Sequence, residues 1–352
     1  MPDAARAAAP GLTDEDRSAA WRRILRVLRF RAPLLARVLL SNARPASALA
    51  PEWRARYESA ASGLRAAPPE FAPTRPWAAV SRFNRLALRG LGFSDFKSVQ
   101  GRFLAAYEAH HPRYFEALHH VYFEALERRD SWGLLKELEE PALGGGDVVV
   151  RRGRRLSLDF LQSIDELYRL QEALGFRRDD ALVFCELGSG YGRLADVILS
   201  AMPRASCWLF DLPESLTLAQ YYLTSLHPRD TAALYPESSE ILSSPGELKK
   251  RRLVFGLPHQ LKSLPARAVD VFVNVYSFME MSRPQVAAYF DEIERLQPGA
   301  LFLKQHEREA NILDGAVHAA ESYPVRPGWA PLYKGTSALY DDVFEAVYRV
   351  SR

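Results

Sequence analysis

The sequence predicts a doubly wound α/β fold, a mostly parallel sheet with helices on both faces, behind a mainly helical N-terminal region. Three observations carry this expectation. After Gly175, short apolar runs alternate with helical patterns. The first of those runs ends in "ELGSGYG", an acid followed by three glycines at alternate positions, and a helix starts there. Residues 1–155, by contrast, show helical spacing and no sheet signature. The 352 residues are enough for two units, read as 1–155 (helical, a substrate cover, lid or dimerisation region) and 156–352 (ligand-binding).

Residues 1–11 are rich in alanine and proline and predict no packed structure. A capping signal at Thr13 opens a helical pattern with Trp21, Ile24, Leu25 and Leu28 on one face. Pro33 restarts a second short helix, and "PPEFAPTRP" at 68–76 reads as a loop. Residues 96–138 predict more helix, with Phe103, Tyr107, Phe115, Leu118, Tyr122, Phe123 and Leu126 as its apolar positions. Proline and three glycines in "EEPALGGGD" end that pattern. A short hairpin and a helix follow over 148–174. Then come "ALVFCEL" (strand), "GRLADVILSAM" (helix), "SCWLFDL" (strand), "ESLTLAQYYLTSL" (helix), a loose insertion at 227–250, "RRLVFGL" and "AVDVFVNVY" (strands), "RPQVAAYFDEIERL" (helix) and "GALFLKQ" (strand). "LYDDVFEAVYRV" predicts a late antiparallel edge strand.

The composition favours some classes over others, with nucleic acid disfavoured but left open. A net charge of +3 is too small to indicate nucleic acid, and an N-P-P-Y-type loop and interleaved aromatics are absent. No apolar stretch is long enough to span a bilayer, and "MPDAARAAAPG" has no signal core, so a cytoplasmic protein is expected. Cys185 and Cys207 fall in apolar strands and read as buried thiols. The stretch 21–44 holds seven arginines and no acid, and reads as solvated helix faces before it reads as a membrane or anion contact. The pairs His110–His111 and His119–His120 lack accompanying acids and predict packed or solvated histidines, not a metal site.

A glycine turn opening a helix suits a polar or anionic ligand, because the free N–H groups point outward. The spacing narrows the ligand. A dinucleotide fingerprint needs G-x-G-x-x-G, but its third glycine position is Arg193 here. A Walker loop is excluded because no G-K-[ST] follows. Glu186 sits before the turn, placed to accept from an amine or from the turn's own N–H groups. Asp211 ends the second strand, beside the first loop in a doubly wound sheet, where it can take both ribose hydroxyls.

The pair "ELGSGYG" and "FDLP" resembles the class I S-adenosylmethionine-dependent methyltransferases, which carry an acid-x-G-x-G-x-G loop and an acid after the second strand. The resemblance covers about 180–350 and implies a Rossmann-like methyltransferase sheet with S-adenosylmethionine as cofactor. Two further segments, "EPALG" at 140–144 and "NVYSFMEM" at 274–281, are similar to the E-P-x-x-G and N-x-x-S-F-x-E-M patterns of the sugar O-methyltransferase family, over about 135–350. Residues 1–130 match no family pattern. The resemblance implies that Glu186, Gly188, Ser189, Gly190 and Gly192 surround the methionine part and that Asp211 holds the ribose. Leu212 would flank the adenine, His259 and Gln260 would read its edge, and Asn274, Tyr276 and Ser277 would form the floor under the sulfonium. The acceptor would be a small-molecule hydroxyl, of a sugar or a sugar-bearing natural product. An amine acceptor and a catalytically silent cofactor-binding partner protein remain open alternatives. A hydroxyl needs a base. Glu280 and His306, just after the fourth and fifth strands, are the candidates, with His259 third.

Overall fold

The computed structural model describes residues 13, 14, 18, 36–42, 48–100, 112–310 and 315–351. Most of the arginine-rich stretch, the face expected from Trp21 to Leu28, Phe103, Tyr107, His110 and His111 lie outside the described residues.

The N-terminal part contributes helices α1 (Pro51–Arg65), α2 (Arg75–Leu91), α3 (Phe96–Gln100) and α4 (Pro112–Glu127). A hairpin of β1 (Val149–Arg151) and β2 (Arg154–Leu156) leads into α5 (Leu158–Leu174). The Ser157 hydroxyl caps α5 by accepting from the Phe160 N–H at 3.0 Å, and Gly175 ends it in the left-handed region at φ 73°.

The alternating part follows as β3 (Val183–Leu187), α6 (Arg193–Ala201), β4 (Ser206–Phe210), α7 (Pro213–Leu226), β5 (Ala232–Ala233), β6 (Leu253–Gly256), β7 (Val271–Val275), α8 (Arg283–Leu296) and β8 (Ala300–His306). A small hairpin of β9 (Arg308–Ala310) and β10 (Val317–Ala319) precedes β11 (Ala330–Thr336) and β12 (Val343–Arg349). The eight-stranded sheet runs β11-β12-β8-β7-β3-β4-β6-β5. Strands β5 to β8 and β3 and β4 pair in parallel, and β12 is antiparallel to both β8 and β11. The fold class is therefore the one expected, and its antiparallel edge is two strands deep. Neither outer strand carried a sequence signal: β5 has two residues, and β11 holds Pro331 and Gly335 and lies largely exposed, so it shows no alternation.

Alternate residues of the sheet feed two cores. Phe184, Leu209 and Val273 face α5, α6 and α7; Cys185, Phe210 and Phe272 face the α8 side. Both cysteines are buried free thiols. The N-terminal helices add to these cores. Phe93 stacks on Tyr221 with centroids 3.7 Å apart, and Phe71 packs edge-on to Tyr289 at 5.0 Å. The Lys97 ammonium donates to the Glu140 carboxylate and to the Pro141 carbonyl, and lies 4.9 Å from the Tyr222 ring. Thus Glu140 and Pro141 act as a clamp between the helical part and α7. Among the described residues no helix is long and apolar enough to cross a membrane.

One buried ion network joins four elements. Arg193, where the third dinucleotide glycine would stand, makes two hydrogen bonds to Glu166 at 2.8 and 2.9 Å. The Lys304 ammonium lies 3.2 Å from Glu166 and 3.0 Å from Glu345, with all three side chains at most 1% exposed. Arg169 closes the chain on Glu345 at 3.2 Å. Burial alone would discharge Lys304, but its two carboxylates outweigh that and hold its pKa above the ordinary lysine value. Removing one partner of such a network leaves a buried charge uncompensated. Lys304→Met is therefore expected to lower unfolding stability in urea by about 3–5 kcal/mol; a loss within 1 kcal/mol of zero, on the scale of ordinary surface substitutions, would show that the network is not holding α5, β8 and β12 together.

Candidate functional site

The chain leaves β3 and moves outward through β4 and β6 on one side, then returns through β7 and β8 on the other. The strand order thus reverses between β3 and β7, and a crevice opens there beyond the carboxyl ends of the strands. The glycine loop forms the β3 side of that crevice. Gly188, Gly190 and Gly192 all have positive φ, at 79°, 58° and 89°. A Cβ on Gly188 would lie 2.3 Å from the Ser277 Oγ. The loop therefore needs glycine for backbone angle and, at Gly188, for contact with the end of β7.

Asp211 links the two expected motifs directly. Its Oδ2 accepts from the Gly190 N–H at 2.7 Å, and its Oδ1 accepts from the Leu212 N–H at 2.6 Å. Each carboxylate oxygen keeps a lone pair for a ligand. Burial raises the Asp211 pKa to about 7; its two backbone hydrogen bonds act against this, and Glu214 adds to it. Leu212 stands at the start of α7, with Pro213 in the first helical position.

The Glu186 side chain is buried, and no described group donates a hydrogen bond to its carboxyl. Burial raises its pKa to about 8; Arg193 opposes this, and Glu166 and Asp211 add to it. A carboxyl in that state calls for a cationic or hydrogen-bonding partner. The Ser189 hydroxyl beside it is also buried without a partner.

The end of β7 is held by Asn274. Its Nδ2 donates to the Leu187 carbonyl at 2.9 Å and to Ser277 Oγ at 2.8 Å; its Oδ1 accepts from the Phe278 N–H at 3.0 Å and from Gln305 Nε2 at 2.7 Å. Every polar atom of Asn274 is thus engaged, so it positions the crevice floor without a free group to offer a ligand. Tyr276 adopts φ 55°, a conformation that bulky residues rarely take, and its buried hydroxyl has no partner. At the β6 end, Gln260 Oε1 accepts from the Leu257 N–H at 2.8 Å and its Nε2 donates to Ser239 at 2.8 Å. Gln260 therefore caps the turn. His259 is half-buried; burial and then Lys262 lower its pKa, and its Nδ1 has no partner.

Glu280 follows β7 in a short turn, half-buried. Burial is the main cause that raises its pKa to about 8, with Glu309 and Asp211 adding and the donating Trp77 indole opposing. Its carbonyl accepts from the Thr74 hydroxyl at 3.2 Å. His306 ends β8, with Nδ1 3.1 Å from Asp342 Oδ2 and its ring 5.8 Å from that of Tyr276. A cleft of about 420 Å3 between Leu118 and the 336–342 turn opens beside Asp342. The buried His119 sits with Nε2 3.0 Å from the Leu156 carbonyl, and among the described residues no cluster could hold a metal ion.

Trp77, Thr74, Tyr57 and Asp342 were not identified from the sequence. Tyr57 donates to Glu214, in the first turn of α7, at 3.1 Å. A Cβ on Gly63 would lie 2.9 Å from Leu257, so α1 crosses the end of β6. These contacts place α1 and α2 across the carboxyl ends of the strands, and each joins residues far apart in the chain, where no local pattern records them.

No protein-family profile matches the chain, and no curated protein matches it. Several solved structures overlap its fold. The pyocyanin biosynthetic protein PhzM is 17% identical over 52% of this chain and 53% of its own, with a TM-score of 0.35; the overlap thus spans about half of that protein. A SAM-dependent methyltransferase from Aquifex aeolicus is 14% identical over 55% of this chain and 94% of its own, with a TM-score of 0.39. Magnesium protoporphyrin IX methyltransferase of Synechocystis PCC 6803 is 15% identical over 58% and 87%, with a TM-score of 0.36. Likeness at that level assigns no activity.

The raised pKa of Glu186 has a consequence for stability. The folded state holds a proton up to about pH 8, whereas the unfolded carboxyl gives it up near its ordinary 4.5. The folded protein binds more protons in between, so stability falls as pH rises through that window. Glu186→Gln removes the titration. The variant should exceed the wild type by on the order of 1 kcal/mol or more at pH 8 and lose that advantage near pH 4, in urea unfolding at each pH. A pH-independent difference would mean that Glu186 is ionised and paired in the free protein.

Proposed function

We propose that the protein is an S-adenosylmethionine-dependent methyltransferase acting on a small-molecule hydroxyl, of a sugar or a sugar-bearing natural product. The observation that carries this reading is the Asp211–Gly190 hydrogen bond, which brings the acid of the second strand onto the glycine loop at the reversal of strand order. The residues present fit the cofactor's groups. Glu186, a buried carboxyl with no partner, suits the ammonium. Asp211 retains acceptor capacity for the ribose hydroxyls. Leu212 and His259 border the adenine side, with Gln260 shaping the turn there. Gly188, Gly190 and Gly192 let the loop backbone approach, while Asn274 and Ser277 fix the floor and Tyr276 stands over it.

When bound, the cofactor supplies a methyl group on a sulfonium, open to in-line attack. The chain's own part is to hold the acceptor oxygen close and aligned, exclude water and take its proton. Helices α1 and α2 lie where they would cover the crevice, and the cleft beside Asp342 offers an acceptor entrance. Glu280 is the favoured base: raised to about 8, its ionised form is a far stronger base than an exposed carboxylate, and that form becomes more populated as pH rises toward 8. His306 is the other. Its Nδ1 turned to Asp342 leaves Nε2 as acceptor when the proton sits on Nδ1. One observation favours a second reading, methylation of an amine: Glu280 has the acids Glu309 and Asp211 around it, and they would stabilise the ammonium that forms as a neutral amine takes the methyl.

S-adenosylhomocysteine should raise the melting temperature, and NAD should not. Asp211→Ala should weaken binding of S-adenosylhomocysteine by about 1.5–3 kcal/mol, and Gly190→Val should abolish it. Stabilisation by NAD alone, or affinity unchanged in both variants, would end the reading. With acceptor identified from extracts by transfer of labelled methyl, Glu280→Gln is expected to lose at least about tenfold in turnover at unchanged cofactor affinity. If His306→Asn shows that loss instead, the base is His306; if neither does, the acceptor arrives without a proton to lose, as a neutral amine would.

A further inference from the structure

Gln162 is 1% exposed, and neither end of its side-chain amide has a hydrogen-bond partner. A buried amide with two donor hydrogens and an acceptor oxygen all unmet is unusual in a folded protein, where such groups are almost always satisfied. Its position says what could satisfy it.

The first turns of α5 lie at the carboxyl ends of the strands, because the far end of α5 leads through Gly175 into the start of β3. Residues 159, 162, 163 and 166 share one side of the helix by their three- and four-residue spacing. That side meets Arg193, the residue after the glycine loop: Arg193 donates to the Asp159 carbonyl at 3.4 Å, to Ser163 Oγ at 2.8 Å and to Glu166. Glu166 in turn pairs with Lys304, whose carbonyl accepts from the Tyr276 N–H at 2.8 Å. Gln162, one turn before Glu166 on α5, therefore stands at the level of the glycine loop and Tyr276. Two more unpartnered polar groups occupy that level, the hydroxyls of Ser189 (5% exposed) and Tyr276 (9% exposed). Glu186 supplies a carboxyl there.

We infer that Gln162 binds the α-amino-acid end of S-adenosylmethionine, with its amide N–H2 and the Ser189 and Tyr276 hydroxyls donating to the carboxylate while its amide oxygen and Glu186 accept from the ammonium. An α-ammonium carboxylate offers both a donor and an acceptor within one small group, which is what a doubly unmet amide requires. This inference rests on the methyltransferase reading and adds to it a ligand-binding residue from outside the glycine loop and the strand ends. It gives α5 a role in recognition as well as in packing.

The test compares two ligands that share the nucleoside but differ in the amino-acid end: S-adenosylhomocysteine and 5′-methylthioadenosine. Titration calorimetry of Gln162→Leu should show S-adenosylhomocysteine weakened at least tenfold and 5′-methylthioadenosine changed less than twofold. Gln162→Glu, which keeps the shape and adds a charge that repels the ligand carboxylate, should show the same selectivity. Removal of an unmet buried amide should not lower the melting temperature of the free Leu variant, and this checks that the fold is intact. Unchanged affinity for S-adenosylhomocysteine overturns the inference and leaves Gln162 to a buried water or to the acceptor. Equal weakening of both ligands also overturns it, since Gln162 would then act by placing α5. A wild type that binds neither ligand fails the methyltransferase reading itself, which separates the two failures.

Discussion

The hydrogen bond from the Gly190 N–H to Asp211 fixes the geometry on which the rest of the crevice depends. It pulls the glycine loop toward the end of β4, and the Gly188 N–H donates to the Phe210 carbonyl at 2.8 Å on the same side. On the other side Ser277 rests against Gly188 and donates, at 3.3 Å, to the Leu187 carbonyl. The loop is thus held between the ends of β4 and β7. Arg193, anchored on Glu166, sets where α6 begins. Anything placed over the loop meets a backbone whose conformation is already decided, so little ordering entropy is left for binding to supply.

The same arrangement concentrates unrelieved acid. Glu186 and Glu280 are raised to about 8 and Asp211 to about 7, and none of the three has a basic side chain bonded to it. The structure does not lack cations nearby. Arg193 and Lys304 are spent on Glu166 and Glu345 instead. The molecule therefore keeps its balanced charges in the network beneath the crevice and its unbalanced ones in the crevice. Unbalanced buried acid costs stability, and its presence in one place fits a ligand that carries positive charge.

Much of this was legible in the sequence, for a physical reason. The glycines and the two acids of "ELGSGYG" and "FDLP" answer to backbone angles and strand ends, which short patterns record. Residues whose partners are distant in the chain were not legible in that way. Gln260, a ligand group by its place after the third strand, also holds the turn and Ser239, which leaves one N–H and one lone pair of its amide free. Asn274, a ligand group by its place at the end of the fourth strand, is fully committed. The buried network did leave a trace. Lys304 in "GALFLKQ" and Glu345 in "DDVFEAVYRV" are charges at inward positions of apolar strands, and a charge there implies a partner. What could not be read is the docking of α1 and α2, which rests on single contacts such as Tyr57 with Glu214 and Thr74 with Glu280.

The central claim is that Glu186 waits, protonated, for a cationic group. Calorimetric titration of S-adenosylhomocysteine at pH 7.5 in two buffers of different ionisation enthalpy measures it directly, because binding heat then reports protons exchanged. An ammonium arriving at Glu186 favours the ionised carboxylate, so the wild type should release roughly half a proton or more on binding, and Glu186→Gln should release markedly less. Equal heats in the two buffers for the wild type, or a release that persists undiminished in the variant, would contradict the account.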